Sequence, residues 1–248
     1  MTSLTNKTAL VTGASRGIGR ATARALAAAG ARVIVHYGNA VGEAESLVTE
    51  IRGSGGKADA VGADLAVPDG AHKLAKEVRT LIGDRLDILV ANAGVATSAS
   101  IEDQTVADFD RMFAVNVRAP FFLVQQLLPV LGEGSSVVLL SSLAARASVG
   151  VLPAYSATKG AIDTLVKHFG ALLGPRGIRV NAVAPGVIDT DMSSFARSDE
   201  GRNYTLSMQA LQRIGHADDV ADVIAFLASD ASRWVTGDTI QVGGGSKI

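Results

Sequence analysis

The sequence contains no cysteine, which excludes disulfides, thiolate metal sites and thiol nucleophiles. It also has no dominant charge: 23 Lys and Arg residues against 24 Asp and Glu residues leave a formal net charge of −1. A balance of this kind gives no basic field to attract nucleic acid or an anionic membrane. No run of about eighteen apolar residues occurs, and the first residues lack a cleavable signal pattern. We therefore expect a cytoplasmic protein with a small-molecule partner.

Histidine is scarce and dispersed. The four histidines lie far apart, without the spacing of metal ligands, so we predict no metal site. We interpret them as surface or cap residues: His36, His72, His168 and His216.

The apolar residues fall into short runs between segments of helical periodicity. Runs without polar interruptions are typical of strands that are buried on both faces, and helical segments between them supply right-handed crossovers. With 248 residues, 48% of them hydrophobic, one substantial core is expected. We predict a single α/β domain over 1–248, a Rossmann-type doubly wound parallel sheet of about seven strands. The predicted strands are 9–12, 32–36, 58–62, 86–91, 136–141, 179–183 and 239–242.

One segment departs from this alternation. Residues 189–213 are polar and weakly periodic, and they lie between a predicted strand and the next helix. A loop of this length is either a disordered insertion or a mobile cover over a site. We favour a substrate-covering segment.

Residues 12–19 form a glycine-rich turn, Thr-Gly-Ala-Ser-Arg-Gly-Ile-Gly, between the first strand and a helix. The backbone N–H groups of such a turn and the helix N-terminus bind phosphate. Gly13 allows the tight turn, Gly17 lets the backbone approach a pyrophosphate, and Gly19 lets the helix pack closely on the strand. The turn predicts a dinucleotide site.

The same turn matches the Gly-x-Ser-x-Gly nucleophile elbow of α/β-hydrolases, which also joins a strand to a helix. A hydrolase must first build the loop that supplies its oxyanion hole. Only twelve residues precede Gly13, and Gly19 has no use in that interpretation. The position of the turn therefore favours the dinucleotide site.

The residues after the second strand indicate which dinucleotide binds. A free ribose 2′-hydroxyl normally meets an Asp or Glu about 20 residues past the glycines. Residues 35–39, Val-His-Tyr-Gly-Asn, contain no carboxylate, and Arg16 in the glycine turn offers a guanidinium suited to a 2′-phosphate. We predict NADP(H) as the cofactor, with NAD(H) possible, and contacts from Arg16, Tyr37 and Asn39.

Tyr155 and Lys159 are four residues apart in a helical segment that begins near Pro153. This spacing places the phenol and the ammonium on one helix face, with Cβ atoms roughly 5–6 Å apart. A tyrosine becomes a base at neutral pH if its pKa falls by about 3 units, which needs about 4 kcal/mol of phenolate stabilisation. Lys159 and an oxidised nicotinamide can supply it. Taken alone, the spacing more often marks a core tyrosine and a surface lysine.

Together with the glycine turn, these motifs resemble the short-chain dehydrogenase/reductase family, in its compact branch. The resemblance runs nearly from end to end, and one departure is Ala91, where the family often has a second asparagine. The other matching elements are Asp64-Leu65, Asn92-Ala93-Gly94, Asn116, Ser142, Tyr155, Lys159, Pro185-Gly186 and Thr190.

The resemblance implies direct hydride transfer between a nicotinamide and a substrate carbon. It implies that Ser142 hydrogen-bonds the reacting oxygen, that Tyr155 transfers its proton, and that Lys159 also holds the nicotinamide ribose. Asn116 completes the implied catalytic set. Asp64 would accept from the adenine amine, Asn92 and Gly94 would line the adenosine ribose, and Ile188 and Thr190 would anchor the carboxamide. The predicted cofactor-binding residues are Gly13, Ser15, Arg16, Gly17, Ile18, Gly19, Tyr37, Asn39, Asp64, Leu65, Asn92, Ala93, Gly94, Tyr155, Lys159, Pro185, Gly186, Ile188 and Thr190.

Pro120 gives Asn116 a further role. Proline has no N–H, so the Asn116 carbonyl loses its partner in an uninterrupted helix, and the helix should bend there. A freed carbonyl can hold a water molecule. In the family this water continues a proton relay from Lys159 to solvent.

Several functions stay open. The leading hypothesis is an NADPH-dependent carbonyl reductase or the reverse alcohol dehydrogenase; a non-catalytic dinucleotide sensor and a nucleotide-sugar epimerase are the alternatives. The pattern most resembles 3-oxoacyl carrier-protein reductases and glucose dehydrogenases. An acidic carrier protein requires a basic patch on the enzyme. Arg176 would suit such a patch, but Glu133 stands where those enzymes tend to be basic. We therefore favour a free small ketone or alcohol as the substrate. We also expect a homotetramer, because the helices holding Asn116 and Tyr155 are apolar around much of their circumference, for example at Phe121, Phe122, Leu127 and Leu128.

Overall fold

A computed structural model describes residues 3–247 of the chain. Seven strands form one parallel sheet, and eight α-helices join and cover them within this range. The strands are β1 (Thr8–Val11), β2 (Arg32–Tyr37), β3 (Lys57–Gly62), β4 (Ile88–Ala91), β5 (Ser136–Leu140), β6 (Arg179–Pro185) and β7 (Thr239–Val242). The helices are α1 (Gly17–Ala28), α2 (Val41–Gly53), α3 (Gly70–Ile82), α4 (Val106–Phe113), α5 (Ala119–Leu127), α6 (Pro153–Leu173), α7 (Asp199–Ser207) and α8 (Ala217–Ala228).

The predicted doubly wound sheet is confirmed, and each predicted strand lies within about two residues of its observed position. The strand order is β3-β2-β1-β4-β5-β6-β7. Because β1 is flanked by β2 and β4, the order reverses there, and ligands of such sheets bind in the crevice at the carboxyl ends of these strands. The glycine turn after β1 therefore lies at this crevice.

The sheet is buried on both faces, as its apolar strands predict. On one face, Leu10 packs with a core formed by α3, α5 and α6. On the other, Ala9 and Val11 pack with α1, α2 and α8. Successive residues of β1 thus enter opposite cores, and all five residues of β5 are buried.

The segment at 189–213 is more regular than its sequence pattern indicates. It contains a short 3₁₀ helix, Asp191–Arg197, and α7. The Ser198 hydroxyl accepts from the Gly201 N–H at 3.1 Å, and Asp199 and Glu200 occupy the first turn, where acidic groups favour a helix. Weak apolar periodicity hid this helix, although its start signal is present. No helix within 3–247 is long and apolar enough to cross a membrane.

The interpretation of the histidines as surface or cap residues is wrong for His36. His216 caps α8 and His168 is exposed, but the His36 side chain at the end of β2 is 2% exposed. Its Nδ1 accepts from the Gly13 N–H at 3.1 Å, and its Nε2 contacts the Ala63 carbonyl at 3.0 Å. Burial lowers the pKa of His36 from 6.5 to about 4, although its hydrogen bond to the Ala63 carbonyl opposes this shift.

This buried imidazole predicts acid-sensitive stability. Between pH 6.5 and about 4 the unfolded state binds a proton that the folded state does not, so the free energy of unfolding falls as the pH falls. The contribution of His36 is present at neutral pH, and we expect about 2 kcal/mol of it to be lost by about pH 5. Urea unfolding at both pH values, compared with His36→Asn, isolates this contribution. An equal loss of stability in both proteins would contradict the assignment.

Candidate active site

The glycine turn is fixed by contacts between β1 and β4. Gly13 has a φ of +62°, and a Cβ there would meet the Ala93 Cα at 2.9 Å. The Asn92 side chain donates to the carbonyls of Thr12 at 2.8 Å and Gly13 at 3.1 Å. A Cβ on Gly19 would overlap the Asn92 amide nitrogen at 2.5 Å, so close packing requires glycine here.

The N-terminus of α1 is suited to an anion. Arg16 occupies the N-cap position without a side-chain cap bond, and the first turn has no acidic residue. The first N–H groups of the helix therefore have no side-chain acceptor at this end, and the helix dipole favours negative charge. Gly17 brings Thr190 close to the turn: a Cβ on Gly17 would lie 3.3 Å from the Thr190 Cγ2. The residues present fit a pyrophosphate.

The end of β2 carries no carboxylate. The Tyr37 ring covers Gly62, whose Cβ would meet the ring at 2.9 Å, and Asn39 is exposed. Arg16 is 73% exposed at its side chain and lies 3.8 Å from Asp191 in the 189–213 segment. An ion pair this exposed is weak, so the guanidinium can exchange Asp191 for a phosphate at little cost.

The loop after β3 holds two predicted cofactor residues in different environments. Asp64 is exposed, and its carboxylate accepts from the Ala66 N–H at 2.8 Å. Leu65 is 7% exposed and belongs to the core formed with α3. The Leu65 side chain therefore serves packing, and only its backbone remains for a cofactor contact.

Asn116 lies in a π-helical turn, Ala114–Arg118, that joins α4 to α5. The Ala119 N–H closes this turn on the Ala114 carbonyl. The helix thus widens one turn before Pro120, whereas the sequence predicts a bend. Single π turns inside α-helices are frequent at functional sites.

The Asn116 side chain joins three segments. Its amide group donates to the Val95 carbonyl at 2.8 Å and to the Thr158 hydroxyl at 3.1 Å, and its carbonyl accepts from the Val95 N–H at 2.9 Å. Thr158 in turn donates to the Tyr155 carbonyl at 2.7 Å. Asn116 therefore ties the loop after β4 to α6 through Thr158. The sequence did not indicate Val95 or Thr158.

Ser142, Tyr155 and Lys159 are brought together at the carboxyl end of β5. Ser142 lies at the strand end facing Tyr155, close enough for its hydroxyl to lower the pKa of the phenol, and this hydroxyl accepts from the Ala144 N–H at 3.2 Å. The Lys159 Nζ lies 5.5 Å from the centre of the Tyr155 ring and donates to the Leu140 carbonyl at 2.7 Å. A Cβ on Gly94 would lie 3.7 Å from this Nζ, so the loop after β4 closes the same site.

Burial governs the acid–base properties of the pair. It raises the pKa of Tyr155, and the hydrogen bond from Ser142 opposes this rise. It lowers the pKa of Lys159 to about 8, while the Asp163 carboxylate opposes the shift. The chain alone therefore keeps the phenol protonated and Lys159 charged below about pH 8. The lowered tyrosine pKa expected from the sequence requires a further positive charge.

The carboxyl end of β6 continues towards the glycine turn. A Cβ on Gly186 would meet Gly243 at 2.8 Å, and Ile188 is buried and forms a single β-bridge with Gly215. With Thr190 beside Gly17, this strand end approaches the helix N-terminus. The predicted residues of β1, β4, β5, α6 and β6 thus meet at one edge of the sheet.

The carboxy-terminal turn, residues 243–247, contacts both the segment after Ser142 and the 189–213 segment. Arg146, in the segment after Ser142, donates to the carbonyls of Ser246 at 2.6 Å and Lys247 at 3.2 Å. On the other side, the Leu211 N–H donates to the Gly244 carbonyl at 2.9 Å. The 189–213 segment is therefore connected to the Ser142 segment. Within 3–247, no group of three His, Asp or Glu residues could hold a metal ion.

Comparisons with known proteins agree with this arrangement. Residues 13–247 match the family model described as Enoyl-(Acyl carrier protein) reductase. A versicolorin reductase of Emericella nidulans is 42% identical over 98% of this chain and 96% of its own length. The crystal structure of the angucycline C-6 ketoreductase LanV with bound NADP has a TM-score of 0.93 at 41% identity, covering 99% and 97% of the two chains. A short chain dehydrogenase from Burkholderia cenocepacia in complex with NADP has a TM-score of 0.94 at 39% identity, covering 99% of each chain.

Proposed function

Because the chain belongs to the short-chain dehydrogenase/reductase family, we propose that it reduces a free ketone to a secondary alcohol with NADPH, using Tyr155 as the proton donor. An oxidoreductase of this family acting on C=O or CH–OH with NADP is supported by the named reductases and the NADP-bound structures. The observation that supports the mechanism is the position of the buried Lys159 ammonium, 5.5 Å from the centre of the Tyr155 ring, at the strand end that carries Ser142.

The cofactor would be held along the carboxyl edge of the sheet. The N-terminus of α1 with Gly17 would take the pyrophosphate on the turn that Gly13 shapes, and Arg16 with Tyr37 and Asn39 would take the 2′-phosphate. Asp64, Asn92 and Gly94 would hold the adenosine, and Ile188 with Thr190 would hold the carboxamide. When bound, NADPH supplies the hydride that forms the new C–H bond.

The side chains of the site divide the remaining work. Ser142 would donate a hydrogen bond to the substrate carbonyl oxygen, which fixes the oxygen beside the phenol. Tyr155 would then donate its proton to that oxygen as negative charge develops there. Lys159 would stabilise the resulting phenolate and bind the nicotinamide ribose; its charge below about pH 8 suits both roles.

Pro120→Ala tests the proposed proton relay through the Asn116 carbonyl. The substitution restores an N–H that can occupy this carbonyl, so a relay water would lose its acceptor, and the π turn would tend towards an α turn. We expect turnover to fall a few-fold with NADPH affinity unchanged, as measured by steady-state kinetics and cofactor titration. The exposed Pro129→Ala serves as control and should leave turnover unchanged. A wild-type crystal structure with the Asn116 carbonyl bonded within the helix would remove the basis of this prediction.

The contacts of Arg176 favour a free substrate over a carrier-bound one. Its guanidinium donates to the carbonyls of Leu128 at 2.7 Å and Leu131 at 3.1 Å, so it is committed to the backbone. Glu133, beside Gly177, adds negative charge to the same surface. A 3-oxoacyl carrier-protein reductase stays the second candidate, because the matched family model is described by a carrier-protein reaction.

The covering role of residues 189–213 belongs to this proposal. Met192, Phe195 and Leu211 are at least half exposed on this segment, and its link to Arg146 through the carboxy-terminal turn holds it near Ser142. Exposed apolar side chains of this kind suit the flat apolar rings of a fused-ring ketone, and the similar protein LanV is named as an angucycline C-6 ketoreductase.

A substrate screen tests the proposed function. NADPH oxidation is followed with fused-ring ketones, small aliphatic ketones, sugars and an acetoacetyl thioester, with and without a carrier protein. We expect turnover with a free ketone, and the fused-ring ketones should have the lowest KM. Turnover that requires the carrier protein would move the assignment to the second candidate. Tight NADPH binding without turnover of any carbonyl compound would favour the non-catalytic sensor.

We propose that the protein is a homotetramer. Phe109 on α4, Phe121 on α5 and Leu172 on α6 expose apolar surface on neighbouring helices, and their exposed fractions are 40%, 37% and 69%. Large apolar side chains left exposed in this way are typical of association sites. Light scattering at micromolar concentration should give the mass of four chains. A monomer under these conditions would contradict the proposal.

The cytoplasmic location expected from the sequence stays a prediction.

A further inference from the structure

His36 connects the glycine turn to the loop after β3. Its imidazole Nδ1 accepts from the Gly13 N–H at 3.1 Å, and its backbone carbonyl accepts from the Ala14 N–H at 2.9 Å. The opposite ring nitrogen contacts the Ala63 carbonyl at 3.0 Å, one residue before Asp64. A single residue of β2 thus contacts both chain segments that flank it at the carboxyl edge of the sheet.

The hydrogen bonds define the protonation state of the ring. The Gly13 N–H can only donate, so Nδ1 must carry a lone pair. The Ala63 carbonyl can only accept, so Nε2 must carry the hydrogen. Only the neutral Nε2–H tautomer satisfies both contacts, and the low pKa of this buried ring, about 4, keeps it neutral. A protonated ring would place an N–H against the Gly13 N–H.

The two contacts lie on either side of the proposed adenosine site. Gly13 has a left-handed φ of +62° in the turn, and its N–H donates to His36, so this N–H is not free for a phosphate. Ala63 leads into Asp64, and its own N–H donates to the Tyr37 carbonyl at 3.0 Å. The planar ring therefore acts as a rigid spacer between the phosphate turn and the Asp64 loop.

We propose that His36 is a positioning residue for the dinucleotide, holding the pyrophosphate turn and the adenine loop at the separation that NADPH requires. The proposal rests on the cofactor site of the proposed function. It assigns no chemical step to His36, which acts through Gly13 and Ala63. Because neither contact involves the 2′-phosphate, His36 should serve NADPH and NADH equally, whereas Arg16 should discriminate between them.

Two variants with a matched control test this role. His36→Leu removes both ring contacts. His36→Asn keeps an acceptor near Gly13 but is too short to reach Ala63 as well, so it remains a test if the leucine variant does not fold. The control is His168→Asn, which makes the same change at an exposed position of α6. Dissociation constants for NADPH and NADH are measured by titration, and kcat is measured at saturating NADPH.

We expect His36→Leu to weaken the binding of both dinucleotides about ten- to a hundredfold, because the Gly13 N–H and the Ala63 carbonyl lose their partner. His36→Asn should lie between this variant and the wild type, and kcat should stay within about twofold because the Tyr155 site is untouched. Nitrogen NMR of the wild type should show an unprotonated Nδ1 and a protonated Nε2. His168→Asn should change none of these values.

Each contrary result has a distinct meaning. Unchanged dinucleotide affinity in a folded His36→Leu, a protonated Nδ1, or a loss of kcat equal to the loss of affinity would overturn the positioning role. Weaker binding of NADPH with unchanged binding of NADH would also overturn the positioning role, because the substitution would then act on the contact with the 2′-phosphate. A wild-type protein that binds neither dinucleotide would instead contradict the proposed function.

Discussion

Tyr155→Phe should retain NADPH binding and lose about 10²- to 10⁴-fold in turnover, the range typical of a removed general acid. The phenyl ring preserves the packing of α6 but has no proton to donate. Cofactor contacts at the glycine turn are left intact. Cofactor titration and steady-state ketone reduction measure the two properties separately.

The matched control is Thr164→Ala, an exposed position two turns further along α6. This variant should show wild-type turnover, which separates loss of the phenol from damage to the helix. Lys159→Met should lose both turnover and NADPH affinity, because Lys159 is assigned to both. Near-normal turnover of Tyr155→Phe would remove Tyr155 from the mechanism.

Arg16→Ala should weaken the binding of NADPH by about ten- to a hundredfold and leave the binding of NADH almost unchanged. The expected size follows from the loss of a charge-assisted hydrogen bond, about 1.5–3 kcal/mol. The ion pair of Arg16 with Asp191 is largely exposed and offers little competition. Arg24→Ala, on the same helix and paired with Glu50, should change neither affinity. Dissociation constants for both cofactors measure the effect.

Tyr37→Asp should move the preference in the opposite direction. A carboxylate at the end of β2 would accept from a ribose 2′-hydroxyl and repel a 2′-phosphate. The affinity for NADH should therefore rise and the affinity for NADPH should fall. Tyr37→Phe is the control, since it retains the ring over Gly62. A wild-type protein that already binds NADH more tightly than NADPH would refute the selectivity assigned to this strand end.

The sheet could be predicted because its signals are local. Apolar runs such as 136–141 and the glycine turn at 12–19 are short segments whose patterns specify strands and a phosphate-binding turn. The spacing of Tyr155 and Lys159 is equally local, because both lie on α6. These features needed no knowledge of long-range contacts.

Contacts between distant segments could not be predicted. His36 and Gly13 are 23 residues apart, and only the pairing of β2 with β1 brings the imidazole to the turn. The Asn116 contact with Val95 spans 21 residues in the same way. The sequence predicts a lowered pKa of Tyr155 once an oxidised nicotinamide is bound, whereas desolvation raises the pKa of Tyr155 in the chain alone. Burial is a property of the packed fold, so the sequence pattern contained no measure of it.

Transfer of a labelled hydride tests the central claim most directly. The enzyme is given NADPH that carries deuterium at both C4 positions of the nicotinamide together with the best ketone from the screen, and the alcohol is analysed by mass spectrometry and NMR. We predict one deuterium on the carbinol carbon for each NADPH oxidised, and we expect the rate of this transfer to fall about 10²- to 10⁴-fold in Tyr155→Phe. Alcohol without deuterium at that carbon, or transfer by Tyr155→Phe at the wild-type rate, would contradict the account.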